Sequence, residues 1–338
     1  LQISLLSLFL AACVDSADET NTSDFSVLAR AGTGFEQARP ETAIVFPRDH
    51  GMHPGYRIEW WYLTANLEGA GGRQYGVQWT LFRSASAPPG ENTSTNPWHD
   101  PQIFMAHFAI STPDDHRAFQ RYARGGEHSG LSQAGAIAEP FMAWLDDWTL
   151  QSTGPEWLPL ELQASQGTWS AELKLSSEMV SILQGKNGFS QKHPNGGGSH
   201  YYSHPFLSAE GTLIIDGDEV AVHGEAWLDR EWSSQFLQED QQGWDWFALH
   251  LDNGEKLMIF RLRAAVDQPG GNYVHGVLIT PDGRKNPLDP ERLNMEVVAT
   301  EDIAGRKIPV HWRLSLTQLG RELEVKAVHP GQWMEVVF

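Results

Sequence analysis

Asp216-Gly217-Asp218 stands between Thr-Leu-Ile-Ile (212–215) and Glu-Val-Ala-Val (219–222), and this punctuation recurs along the chain. Asn253-Gly254 separates Phe-Ala-Leu-His-Leu (247–251) from Lys-Leu-Met-Ile-Phe (256–260), and Pro281-Asp282-Gly283 follows Val-His-Gly-Val-Leu-Ile (274–279). Asn-Gly and Asp-Gly supply the positive φ that tight hairpin turns need. Between such turns, residues 75–83 alternate Val77, Trp79 and Leu81 against polar neighbours, and 103–110, 167–175 and 211–215 also read as strands. No long 3.6-residue period competes; only 127–138 suggests a short helix. Many antiparallel strands at short spacing predict an all-β fold of barrels or sandwiches. They exceed one eight-stranded barrel, so two β units are expected. The polar break is Ser-Ser-Gln-Phe-Leu-Gln-Glu-Asp-Gln-Gln-Gly (233–243), giving units of 42–235 and 236–338.

The composition limits the partners. With 338 residues and 41% apolar side chains, the chain can bury a sizeable core. A net charge of −19 argues against nucleic acid and against electrostatic docking on anionic lipid. Fourteen tryptophans suit either an aromatic-packed β core or a cavity walled by indoles for a hydrophobic small molecule.

The single cysteine, Cys13, ends the run Leu-Gln-Ile-Ser-Leu-Leu-Ser-Leu-Phe-Leu-Ala-Ala-Cys. An apolar stretch closing on small residues reads as a secretory signal, and Leu-Ala-Ala-Cys (10–13) matches a bacterial lipobox. About 12 apolar residues are too few for a bilayer span, which needs about 20. Residues 1–13 are therefore read as a signal that the chain enters part-way, with Cys13 as a lipid anchor holding the protein to a membrane. Residues 14–41 read as a flexible tether. Val14 after the cysteine favours the outer membrane, so the expected location is periplasmic, in the bacterial envelope. The last residues, Trp-Met-Glu-Val-Val-Phe338, look like a strand, and the natural protein is expected to continue.

Two segments mix charge with aromatics: Arg57-Ile58-Glu59-Trp60-Trp61-Tyr62 and Trp227-Leu228-Asp229-Arg230-Glu231-Trp232. Buried charge is costly unless it is paired or used. On a strand, Arg57, Glu59 and Trp61 share one face and Trp60 and Tyr62 the other. Likewise Trp227, Asp229 and Glu231 oppose Arg230 and Trp232. Paired carboxylates on one face are raw material for acid–base chemistry. The other reading is a charge lattice in which Arg57 and Arg230 neutralise Glu59, Asp229 and Glu231. Tyr201, Tyr202 and His204, within His200-Tyr201-Tyr202-Ser203-His204-Pro205, are candidates for a pocket rim. The two histidines, extended, stand about 13 Å apart, too far to share one metal. His107 interrupts an apolar strand, and Trp246, beside Asp245, repeats the aromatic–charge theme. The Gly-rich loop 185–199 is of the kind that gates sites. A Gly-x-Ser-x-Gly elbow, a phosphate loop, a dinucleotide fingerprint and a calcium loop are all missing from the sequence, and no cofactor is expected.

His-Pro-Gly-Tyr-Arg-Ile-Glu-Trp-Trp-Tyr-Leu-Thr (53–64), Lys-Asn-Gly-Phe-Ser-Gln-Lys (186–192), Tyr-Tyr-Ser (201–203) and Gly-Glu-Ala-Trp-Leu-Asp-Arg-Glu-Trp-Ser-Ser (224–234) resemble the AttH/CrtC family. That family joins AttH-like bacterial lipoproteins to carotenoid hydratases, and the resemblance spans about 42–338. It implies two consecutive lipocalin-like, calycin-type antiparallel β-barrels. It also implies cofactor-free hydratase or hydrolase chemistry on a lipid or isoprenoid-like molecule. Asp229 or Glu231 would be the acid and Glu59 its partner, with Arg57 and Arg230 setting their pKa values. The hydratase pattern places histidine after the aspartate; here that residue is Arg230, which cannot shuttle protons. The alternative implied by the family is a non-catalytic carrier, or an accessory lipoprotein of an ABC-type transporter.

Overall fold

The computed structural model describes residues 32–90, 100–125, 133–238, 240–264 and 271–334. Cys13, its lipobox and the tether up to residue 31 lie outside the described residues. The first strands are β1 (Ile58–Glu68), β2 (Gln74–Ala85), β3 (Gln102–Ser111), β4 (His116–Arg124), β5 (Ala134–Ala138), β6 (Phe141–Leu145) and β7 (Trp148–Ser152). There follow β8 (Leu160–Gln166), β9 (Trp169–Ser176), β10 (Ile182–Leu183), β11 (Phe189–Gln191), β12 (Gly198–Ile215) and β13 (Asp218–Ser233). Among the described residues these thirteen form one sheet, in the order β4-β3-β2-β1-β13-β12-β9-β8-β7-β6-β5, with β10 and β11 on β12. Gly125, just after β4, bridges to Ala134 of β5. The ends of the sheet thus nearly meet, and the fold is all-β with a nearly closed barrel.

The remaining strands are β14 (Gln241–His250), β15 (Lys256–Ala264), β16 (Tyr273–Ile279) and β17 (Lys285–Leu288), which form a second sheet. A third sheet holds β18 (Leu293–Ile303), β19 (Arg306–Leu316) and β20 (Arg321–Lys326). These two sheets enclose one core, with Phe247, Leu249 and Ile259 from one and Trp312, Leu314 and Val325 from the other.

The turn chemistry acts as the sequence predicts. Asp216 (φ 52°) and Gly217 (φ 93°) are the two-residue loop between β12 and β13, and Gly254 and Gly283 also take positive φ. The helix expected over 127–138 is corrected: residues 126–132 lie outside the described set, and 134–138 are β5, paired with β6. Packing decides this. Gly135 lies flat under Trp144, where an added Cβ would sit 2.7 Å from the indole, and cross-strand fit overrides local propensity.

Strand alternation sorts the central strands into two faces. Inside the barrel, Trp61, Trp79, Trp148, Phe104, Phe108 and Phe141 are fully buried, so side chains fill the interior. Outside, Ile58, Tyr201 and Trp227 share a second core with Met258, Phe260, Val277 and Ile279 of the second sheet. The outer wall of the barrel is therefore itself an internal surface of the molecule. Burial at about 25 cal/mol per Å² makes both faces strong determinants of register.

Candidate functional site

The register places Glu59 opposite Trp232 and Trp61 opposite Arg230, so these four enter the barrel together. Glu59 is completely buried. It accepts from Arg83 Nε, from Arg230 Nη2 at 2.5 Å and from the His53 backbone N–H at 3.0 Å. Burial alone would raise the Glu59 carboxyl, but the Arg83 and Arg230 charges and His53 outweigh it and hold the group well below the carboxylate range. The Arg230 guanidinium lies over the Trp61 ring at 3.8 Å. Arg230 also donates to the Gly51 carbonyl, Arg83 to those of His53 and Tyr56, and the Trp61 indole to that of His50. The cluster thus fastens residues 50–56 to the barrel strands. All of its charges are paired, which makes it a structural lock.

Asp229 and Glu231 point the other way, toward the second sheet. Ser203 Oγ donates to Asp229 Oδ1 at 2.5 Å and the Trp227 indole N–H to the same oxygen at 2.9 Å, with Tyr201 as a third partner. Gln184 Nε2 donates in turn to Ser203 Oγ at 2.9 Å. Burial pushes the Asp229 carboxyl up to about 7; the three hydrogen bonds oppose that rise and the nearby Glu231 charge adds to it. Glu231 accepts from Ser199 Oγ and pairs with Lys192 Nζ at 2.8 Å. Lys192 itself sits 4.3 Å from the centre of the Phe260 ring. Rings frame these carboxyls: Tyr62 meets Trp246 at 5.7 Å, Trp60 stacks on Phe236 at 4.2 Å, and Trp227 meets His250 edge-on at 5.9 Å. Half-buried Trp60, Trp244, Trp246 and Tyr273 line the same seam.

The sequence candidates thus divide. Glu59, Trp61, Arg230, Trp232, Tyr202 and His204 belong to the barrel interior, where Tyr202 OH lies 2.7 Å from His50 Nδ1. Trp60, Tyr62, Trp227, Asp229, Glu231, Tyr201 and Trp246 meet at the seam between sheets. Two expectations are corrected. Glu59 is no partner of Asp229, because alternation puts them on opposite faces of one sheet. Arg230 does not pair with Asp229 or Glu231, since it turns inward to Glu59; Lys192 is the cation beside Glu231. Arg57, half-buried just before β1, donates its backbone N–H to Ser234 Oγ at 3.2 Å. His107 is fully buried on the outer face of β3.

Sequence reasoning missed Lys192, Ser199, Ser203 and Arg83. Ser203 had a signal, since it shares a strand face with Tyr201, and Arg83 ends an apolar strand on the face of Trp79 and Leu81. Lys192 had none by periodicity: it is brought in by the loop before β12, whose Lys192 carbonyl accepts from Gln241 Nε2 at 2.9 Å. Among the described residues, no group of three or more His, Cys, Asp or Glu is arranged to hold a metal.

A family model described as AttH-like matches residues 37–338. The chain belongs to the AttH-like family. Among solved structures, an AttH protein of Nitrosomonas europaea is 31% identical, with a TM-score of 0.73 over 83% of this chain and 84% of that one. Kievitone hydratase from Nectria haematococca shares the fold at 15% identity, with a TM-score of 0.60 over 87% of this chain and 85% of that one. A search of curated proteins finds no match. In this AttH-like chain the two aromatic–charge motifs therefore lie on neighbouring strands, β1 and β13, and each contributes one residue set to the lock and another to the seam.

Proposed function

We propose that this AttH-like protein binds an apolar, lipid- or isoprenoid-like small molecule at the seam between β13 and the second sheet. There Asp229 acts as a cofactor-free general acid. The observation that carries the reading is the Asp229 carboxyl: buried, held by three donors, near-neutral in pKa and framed by aromatic rings. An acid whose pKa lies close to the working pH is protonated often enough to donate and basic enough to be regenerated. That the fold also carries a hydratase supports addition of water as the reaction class.

In that reaction Ser203 and Trp227 hold Oδ1, Tyr201 is the third partner, and the transferable proton is the one on the Asp229 carboxyl. It passes to one carbon of a substrate double bond, and the π pair of the alkene forms the new C–H bond. The resulting cation is stabilised by the faces of neighbouring rings such as Tyr62 and Trp246. A water oxygen bonds to the cationic carbon, and its surplus proton returns to the Asp229 carboxylate. Glu231, fixed by Lys192 and Ser199, lies two residues along the strand, about 7 Å away, where it orients that water. The lipobox at Cys13 supports anchoring in the periplasm, where membrane-derived apolar substrates are at hand.

Incubating the protein with terminal-alkene isoprenoids in ¹⁸O-labelled water tests this by mass spectrometry. Asp229→Asn is expected to cut label incorporation about 10²–10⁴-fold while ligand retention and folding persist. Retention of the alkenes with no label incorporated by the unaltered protein would instead support the carrier role.

A further inference from the structure

Asp229 belongs to a lateral row. The register sets Ser203, Asp229, Tyr62, Thr80, His107 and Gln120 opposite one another on β12, β13, β1, β2, β3 and β4. All six are polar and on the outer face, and Ser203, Thr80 and His107 are completely buried. The neighbouring row beginning at Glu231 continues through Trp60, Phe82 and Met105, and is apolar from β1 onward. Ser203 and Asp229 have a use in the proposed chemistry. The β2–β3 end has none so far.

That end holds two unsatisfied groups. Gln120 Nε2 donates to His107 Nε2 at 3.0 Å, so the ring, kept neutral by burial, carries its hydrogen on Nδ1, and Nδ1 has no partner. Gln78 Nε2 points to Thr80 Oγ1 at 3.4 Å, and Gln78 Oε1 has no partner. Gln78 is 1% exposed. Gln78 pairs with Ala109, so Gln78 and His107 are diagonal neighbours on adjacent strands, close enough for one oxygen to span. Buried donors and acceptors are almost always satisfied, and leaving them unmade destabilises a fold. The lone donor and the lone acceptor thus stand on diagonal positions of β3 and β2, and the Phe82 ring flanks His107 on the opposite diagonal, its centre 5.4 Å away.

We propose that His107 and Gln78 form a second station of the same seam, binding the hydroxyl of an amphiphilic substrate whose apolar chain runs over the Phe82 and Trp60 rings of the neighbouring row toward Asp229. A hydroxyl accepts from Nδ1–H and donates to Oε1 at once. A carboxylate would meet the Gln78 acceptor without a counter-charge. Three strand spacings separate His107 from Asp229, roughly 14 Å, so the ligand class is an alcohol whose reactive double bond lies about that far from its oxygen. The placement of the reacting end rests on the Asp229 reading; the hydroxyl station does not.

Farnesol and farnesene, which differ chiefly by the terminal oxygen, serve as probes in tryptophan-fluorescence titrations of the purified protein. Farnesol is expected to bind about ten- to thirtyfold tighter, the contribution of two hydrogen bonds. His107→Leu and Gln78→Leu should each erase most of that ratio while farnesene affinity holds. His107→Asn, which restores an N–H near the Nδ1 position, should keep it. Equal binding of both probes, binding of neither, or a ratio that survives in the folded leucine variants overturns the proposal; if His107→Leu does not fold, Gln78→Leu decides. Asp229→Asn should retain the ratio while losing turnover, so the two readings fail separately.

Discussion

Asp229 and Glu59 are both buried carboxyls beside tryptophans, yet their surroundings push them in opposite directions. Glu59 has two guanidinium partners, and Asp229 has only neutral donors. The consequences for stability follow by sign. The folded pKa of Asp229, about 7, lies above its ordinary value of 3.8. Between those values the folded state binds more protons than the unfolded one, so stability falls as pH rises through that window. Asp229→Asn removes the buried charge, so its melting temperature should exceed that of the unaltered protein at pH 8 and approach it at pH 5. The buried histidines act on the acid side. His50 is lowered to about 3, and His107, His200 and His204 to about 4, chiefly by burial. Below their ordinary value of 6.5 the unfolded chain takes up protons that the fold refuses, and stability is lost from there down to about pH 4. Glu59→Gln leaves Arg83 and Arg230 buried without a counter-charge, and should cost about 3–5 kcal/mol in urea denaturation. Loss of stability in Asp229→Asn equal to that in Glu59→Gln would make the seam carboxyl structural too.

At the scale of elements, the β1–β13 pair carries the account, because it sends one set of residues inward and the other to the seam. Gly224 of β13 opposes Leu67 of β1, and an added Cβ would lie 2.0 Å from the Asn66 carbonyl oxygen. Gly224→Ala should therefore push the two strands apart and cost about 1–3 kcal/mol, with turnover falling alongside; unchanged stability would show that the pairing tolerates the shift. The strands themselves were legible: alternation and Asp-Gly turns mark β2, β3, β12 and β13 in the sequence. Alternation also separates Asp229 from Arg230. It could not say which set faces the barrel interior, since tryptophans stand on both faces. Two buried faces remove the polar-out pattern that normally tells inside from outside. Arg83 and Lys192 reach their partners through non-local pairing and a loop, and no short-range pattern encodes that. The 134–138 strand escaped because its small residues carry little strand signal of their own, and Gly135 is held by Trp144 from across the turn at 139–140.

For the whole molecule, the shared core of Ile58, Tyr201 and Trp227 with Met258, Phe260 and Ile279 ties the barrel to the second sheet. Unfolding of the two should therefore be coupled. Far-ultraviolet circular dichroism and tryptophan fluorescence are expected to report one coincident transition in urea, and two resolved transitions would mean that the seam is not a common core. The family motifs, long and rich in tryptophan, made the architecture readable from the sequence alone. The seam as the candidate site was not readable, because it depends on the outer wall of one sheet meeting another. The proposed chemistry turns on Asp229 being an acid poised near neutrality. Difference infrared spectroscopy between the unaltered protein and Asp229→Asn reads it directly, through the carbonyl stretch of the protonated carboxyl. This band is expected at pH 5, should disappear by pH 9 and should have a midpoint near 7. A midpoint near 4, the ordinary value for aspartate, would contradict it.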